Sequence, residues 1–177
     1  HTAITAIKDG KILSGDIMVV LGAGPRGTGM EETYQVTSAL KKLPYGAHVS
    51  LITDARFSGV STGACFGHVG PEGLAGGPIG KLRDGDIVEI VVNTKTLEGK
   101  INFIGTKDKK VSYEEGAEIL AARDPYPGIG ADPQLPDDTR LWAALQDVSG
   151  GTWRGCVYDV DKIVRTLEAG KKALATK

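Results

Sequence analysis

Glycine is the feature that most limits what this chain can become. It accounts for 25 of 177 residues, about 14% and about twice average usage. Sixteen of those glycines lie before residue 86. Glycine marks tight turns and places where backbone must approach closely. The first half is therefore expected to be short strands joined by compact loops. The apolar runs fit that expectation. Residues 16–21 and 47–53 are apolar and β-branched, so they read as buried strands. Residues 86–92 make a third strand, and 99–104 its partner in a hairpin. Residues 31–42 suit a helix, opened by Glu31 and Glu32 and closed by Lys41 and Lys42 as the macrodipole prefers. Residues 54–80 hold eight glycines and are expected to be mostly loop.

Later in the chain, Ser112-Tyr113-Glu114-Glu115 is a capping box for a helix to about residue 123. Pro125, Pro127, Pro133 and Pro136 make 124–136 a surface linker. Helices are predicted near 138–147 and 159–174. The strands are too irregularly spaced for a pure βαβ series. The expected architecture is a single α/β domain over 1–177. A compact barrel-like sheet would occupy about 10–110, with a helical tail over about 111–177.

A net charge of −1 gives no electrostatic case for nucleic acid or an acidic membrane surface. No apolar run approaches the ~20 residues that span a bilayer. The opening His1-Thr2-Ala3-Ile4 carries neither a Met nor a signal-peptide pattern, so the chain is expected to be a piece of a longer polypeptide. Cys65 and Cys156 fit no zinc spacing, and two cysteines fall short of the four or so ligands of an iron–sulfur cluster. They are expected as free thiols of a cytoplasmic protein, with Cys65 a small buried residue. Trp142, Trp153 and Tyr158 read as packing or interface aromatics.

Two loops carry the chemistry. Gly22-Ala23-Gly24-Pro25-Arg26-Gly27 matches G-x-G-x-x-G between a strand and a helix, and Asp54 ends the next strand. That is the context of a dinucleotide fingerprint. Against it, Pro25 lacks a donor N–H, and Glu31 and Glu32 would stand beside the phosphates. The same acids fit a cation, since a carboxylate on a glycine-hinged loop supplies a hard oxygen ligand to Mg²⁺. They equally fit the start of a helix. The second loop, residues 54–63, places Ser58, Ser61 and Thr62 among glycines. It suits a polyhydroxylated substrate, or simply a turn in which Asp54 pairs with Arg56. An acyl-transfer serine is weak here, because His68 is ten residues on and no G-x-S-x-G elbow exists. His68 itself reads as a satisfied loop histidine, and His48 as the beginning of a strand. A nucleotide-binding module and a non-catalytic interaction domain remain alternatives at this point.

Four motifs run in order: Gly27-x-Gly29-Met30-x-Glu32, Leu51-Ile52-Thr53-Asp54-x-Arg56-Phe57-Ser58-Gly59, Gly67-His68-Val69-x-Pro71-Glu72, and Gly76-Gly77-Pro78-Ile79 followed by Asp84-Gly85-Asp86. Together they resemble the dihydroxy-acid and phosphogluconate dehydratase family. Asp137-Asp138-Thr139-Arg140-Leu141-Trp142, Ser149-Gly150-Gly151-Thr152-Trp153 and Gly155-Cys156-Val157-Tyr158 resemble its pentonate branch, which acts on D-xylonate. The resemblance implies a carboxy-terminal domain like the swivelling β-barrel of aconitase. That domain would close over a separate amino-terminal domain holding an iron–sulfur cluster and most of the Mg²⁺ ligands. By motif position Glu32 corresponds to a Mg²⁺ ligand and Ser58 to the base. Glu31 stands where many members have proline. Val60 replaces a threonine found in some sugar-acid members, which leaves Ser61 as the expected hydroxyl contact, and Gly59 is expected beside the substrate too. The implied reaction dehydrates a sugar acid to its 2-keto-3-deoxy acid, in a homo-oligomer that is inactive without the amino-terminal domain.

Overall fold

Two small sheets carry the fold in a computed structural model that describes residues 2–175. A helix, α1 (Thr2–Lys8), precedes strand β1 (Ile17–Val20). A short helix α2 (Pro25–Thr28) and helix α3 (Tyr34–Leu40) lead to β2 (Ser50–Thr53) and β3 (Cys65–Phe66). These strands form a parallel sheet in the order β1-β2-β3, with Ile17 opposite Ser50 and Leu51 opposite Cys65. The antiparallel hairpin of β4 (Asp86–Asn93) and β5 (Glu98–Thr106) follows, with Ile90 opposite Ile101. Helices α4 (Tyr113–Ala122), α5 (Asp137–Val148) and α6 (Val160–Ala175) complete the described residues.

β2 is the central element because it is buried on both faces, as parallel strands are. Alternate residues of a strand point to opposite sides, and here each side meets its own core. Leu51 packs with Ile7, Met18, Val36, Leu40 and Val49. Ile52 packs with Ile79, Leu82, Phe103 and Leu120. The second core is fastened by α4. Ser112 Oγ accepts from the Glu115 N–H at 3.1 Å, as the capping box requires. At the far end Arg123 grips the buried Asp86 carboxylate with two nitrogens, at 2.5 and 3.1 Å, and lies over the Phe103 ring.

The mixed α/β class matches expectation, whereas among the described residues neither sheet closes into a barrel. The helix expected from residue 31 begins at Tyr34 instead. Gly29 and Met30 both adopt positive φ, and Glu32 pairs in extended fashion with Arg56. Residues 46–48, including the exposed His48, form a helical turn rather than the head of β2. β3 is only two residues long, too short for any periodic pattern to reveal. Residues 124–136 hold no helix or strand, as their prolines dictate. Cys65 is half-buried rather than buried, and both cysteines are free. No described helix is long and apolar enough to cross a membrane.

β2 delivers Asp54, which is 0% exposed. Its carboxylate does not pair with Arg56. It accepts the backbone N–H groups of Gly22 and Ala23, both at 3.0 Å, and of Gly73 at 2.8 Å. Asp54→Ala strands three inward-facing donors, and each costs about 1–3 kcal/mol when left unsatisfied. Urea unfolding should show a loss on the order of 3 kcal/mol or more. A loss no larger than that of an ordinary surface substitution contradicts this account.

Candidate active site

The first glycine loop leaves β1 at Leu21 and turns into α2. Its fingerprint spacing serves the chain's own packing. Glu72, 5% exposed, places both carboxylate oxygens 3.1 Å from the Arg26 N–H, at the head of α2. A side chain at Gly24 would collide with that carboxylate, and one at Gly27 would run into the carbonyl of Gly22. The donors that a pyrophosphate would need are thus held by two internal acids, Asp54 and Glu72. That occupation argues against a nucleotide site on this loop.

Beyond α2 the two loops meet. Residues 32 and 56 form a single parallel bridge. The Thr33 N–H donates to the Arg56 carbonyl at 3.1 Å, and Arg56 Nε donates to the Met30 carbonyl at 2.8 Å. Arg56 also ion-pairs with Glu32 at 3.2 Å, both side chains being about half exposed. Glu31 is exposed and makes no such pair among the described residues. Two residues past Arg56 lies Ser58, half-buried at the start of a turn closed by the Ser61 N–H to the Ser58 carbonyl at 3.1 Å. Ser58 Oγ and Ser61 Oγ are 3.4 Å apart. Behind them Thr37 of α3 reaches Ser61 Oγ at 3.3 Å. Gly59 and Val60 are exposed at the tip of the turn. Glu32, Ser58, Gly59 and Ser61 thus belong to two loops joined at one sheet edge. His68 is exposed with positive φ, and among the described residues its ring makes no bond to Ser58.

Mg²⁺ takes about six oxygen ligands in near-octahedral order. Among the described residues no group of three or more His, Cys, Asp or Glu side chains could hold a metal. Glu32, half exposed and paired with Arg56, could give a Mg²⁺ one or two oxygens, well short of a full set. An iron–sulfur cluster does not fit the residues of this chain. Cys65 sits on β3 and Cys156 beyond α5, and burial pushes both thiols above their ordinary value.

The helical tail leans on the first loop. The Asp132 N–H donates to the Gly27 carbonyl at 2.8 Å, and Thr139 packs against Gly29. Asp147 of α5 ion-pairs with Arg26 at 2.6 Å. No local pattern in the sequence announces the burial of Glu72 against Arg26 or this tail contact. Trp153 is 74% exposed and Tyr158 is exposed as well, so neither is a core aromatic.

The sequence profile of the dihydroxy-acid/6-phosphogluconate dehydratase carboxy-terminal domain matches residues 1–125. The chain belongs to that family. The chain is 69% identical over 172 residues to D-xylonate dehydratase YagF of Escherichia coli (strain K12), covering 97% of this chain and 26% of that protein. To D-xylonate dehydratase YjhG of the same organism it is 66% identical over 168 residues, 94% and 26% of the two chains. A dihydroxy-acid dehydratase of Agathobacter rectalis is 43% identical over 113 residues, 63% of this chain and 20% of that one. The domain spans about a quarter of the length of the two D-xylonate dehydratases. The tail beyond residue 125 lies outside the family profile and within the longer match to the D-xylonate relatives. It is this tail that grips Arg26, Gly27 and Gly29.

Burial pushes the Glu72 carboxyl from 4.5 up to about 7. The Arg26 N–H opposes that rise, while the negative charges of Asp54 and Asp147 add to it. The folded domain therefore binds this proton more tightly than the unfolded chain, and stability falls as pH rises from 4.5 to about 7. Glu72→Gln keeps an acceptor for Arg26 and should flatten that slope in urea titrations at about pH 5 and about pH 7.5. An unchanged slope rules out Glu72 as its source.

Proposed function

We propose that this domain supplies Glu32 and Ser58 to the active site of a sugar-acid dehydratase. The reaction converts an aldonate such as D-xylonate to its 2-keto-3-deoxy acid. The observation that carries this reading is the joining of the two loops through Glu32 and Arg56, in a chain so similar to two D-xylonate dehydratases. Dehydration removes the C2 proton and the C3 hydroxide of the substrate as water. Ser58 Oγ takes the proton, and Glu32 would give one oxygen to a Mg²⁺ bound beside it. Gly59 and Ser61 line the turn beside the substrate. A Mg²⁺ held in part by Glu32 would supply Lewis acidity that makes the C2 proton easier to remove. The cluster and the remaining ligands belong to the amino-terminal part of the longer polypeptide.

The architectural role in this reading is that of a swivelling lid like aconitase's, closing the two loops over the bound cluster. A homo-oligomer in the cytoplasm completes it. The exposed Val160, Val164, Leu167 and Leu174 along α6 support a partner surface in that assembly. Free thiols on both cysteines are in keeping with a reducing compartment.

In the full-length protein Ser58→Ala should lower kcat on the order of 10²–10⁴-fold while the cluster's absorbance is unchanged. Substantial remaining turnover would remove Ser58 as the base. Glu32→Gln should raise the Mg²⁺ concentration for half-activity at least as much as the ~10–100-fold typical of losing an outer-shell partner. Glu31→Gln should leave it nearly unmoved, and equal effects from the two variants would refute the choice of Glu32.

A further inference from the structure

A serine hydroxyl is a poor base until something stabilises its ionised form. The chain behind Ser58 holds residues placed for that task. Ser58 Oγ is 3.4 Å from Ser61 Oγ, and Ser61 Oγ is 3.3 Å from Thr37 Oγ1. Thr37 Oγ1 in turn lies 2.9 Å from the Tyr34 carbonyl, one turn back in α3. Thr37 is 2% exposed, so the line of hydroxyls ends inside the domain.

The proton count decides what such a line can do. Each hydroxyl carries one proton and two lone pairs. Thr37 is within reach of two acceptors, Ser61 Oγ and the Tyr34 carbonyl, and can serve only one at a time. With Ser58 neutral, Ser58 donates to Ser61, and Thr37 serves the Tyr34 carbonyl at its shorter distance. With Ser58 ionised, the line reverses. Ser61 donates to the Ser58 oxygen, and Thr37 swings its proton to Ser61. The Tyr34 carbonyl gives up only a side-chain donor, since a helical carbonyl keeps its backbone one. The reversed line ends on a charged acceptor, and such hydrogen bonds are about twice as strong as neutral ones. Because the line stops at buried Thr37, it carries no proton to solvent. Its effect is on the balance between the two states of Ser58.

We infer that Thr37, acting through Ser61, is a positioning residue that favours the ionised form of Ser58. This rests on Ser58 being the base. It gives the Ser61 hydroxyl a bond to Ser58 within the same turn that lines the substrate.

The test is the pH dependence of kcat/KM in the full-length enzyme. Thr37→Val keeps the side chain's shape and deletes its hydroxyl. It should move the ascending limb about 0.5–1 unit to higher pH, equal to about a 3–10-fold drop in rate on that limb. KM on the plateau should stay within about twofold. Thr37→Ser should restore the limb to its original position. Ser61→Ala, at the middle of the line, should move the limb in the same direction. The double variant should move it no further than the larger single change, because both act through one chain of bonds. A limb that stays in place in Thr37→Val and Ser61→Ala overturns the inference. So does a Thr37→Ser variant as impaired as Thr37→Val, or additive shifts in the double variant. Ser58→Ala separates the two levels. If it retains turnover, the base itself is misassigned. If it is inactive while the limb ignores Thr37 and Ser61, only the present inference fails.

Discussion

The Asp54 carboxylate is the interaction on which the rest of the domain turns. It sits at the end of the most buried strand and binds backbone donors from two separate loops, at residues 22–23 and at residue 73. One charged group thereby fixes how β1 exits its sheet, where α2 begins, and where the segment carrying Glu72 returns. Such an arrangement is stable because a buried carboxylate needs several donors and a buried loop needs acceptors. Glu72 repeats the device one turn further on, at the head of α2. With two acids inside it, the glycine-rich half of the chain becomes a rigid mount for the loops at its edge.

That arrangement also explains what the sequence disclosed and what it concealed. Segments governed by local rules were legible. The Ser112 capping box, the proline-rich stretch 124–136, the hairpin of β4 and β5 and the last two helices lie close to where the residues put them. Segments governed by distant contacts were not. The two residues of β3 have no period to read. The helix expected at Glu31 starts later because Glu32 is drawn into extended pairing with Arg56, twenty-four positions away. The G-x-G-x-x-G spacing pointed toward a nucleotide because glycine reports close approach without naming what approaches. Here that neighbour is the Glu72 carboxylate, supplied forty-eight residues after Gly24.

For the candidate site, motif order identified Glu32 and Ser58 as residues to watch. It did not show that Arg56 would lock Glu32 to the second loop, nor that Thr37 would stand behind Ser61. Both features depend on α3 packing over the loop after β2, a tertiary relationship. The tail adds another layer. Residues beyond 125 fall outside the family profile yet hold Arg26, Gly27 and Gly29 from the side. The loop bearing Glu32 is therefore braced from within by Glu72 and from outside by a segment shared with the D-xylonate relatives. Substituting that brace offers a way to shift the loop without touching Glu32.

In the proposed reading these joined loops form one half of a metal-dependent site. The most direct measurement is a crystal structure of the full-length protein with a bound sugar acid and Mn²⁺ in place of Mg²⁺, the metal located by its anomalous scattering. A Glu32 carboxylate oxygen should lie about 2.1–2.2 Å from the metal, as a hard oxygen ligand does. Ser58 Oγ should stand about 3–3.5 Å from the substrate's C2. A metal whose ligands do not include Glu32, or a C2 facing a different side chain, would contradict the account.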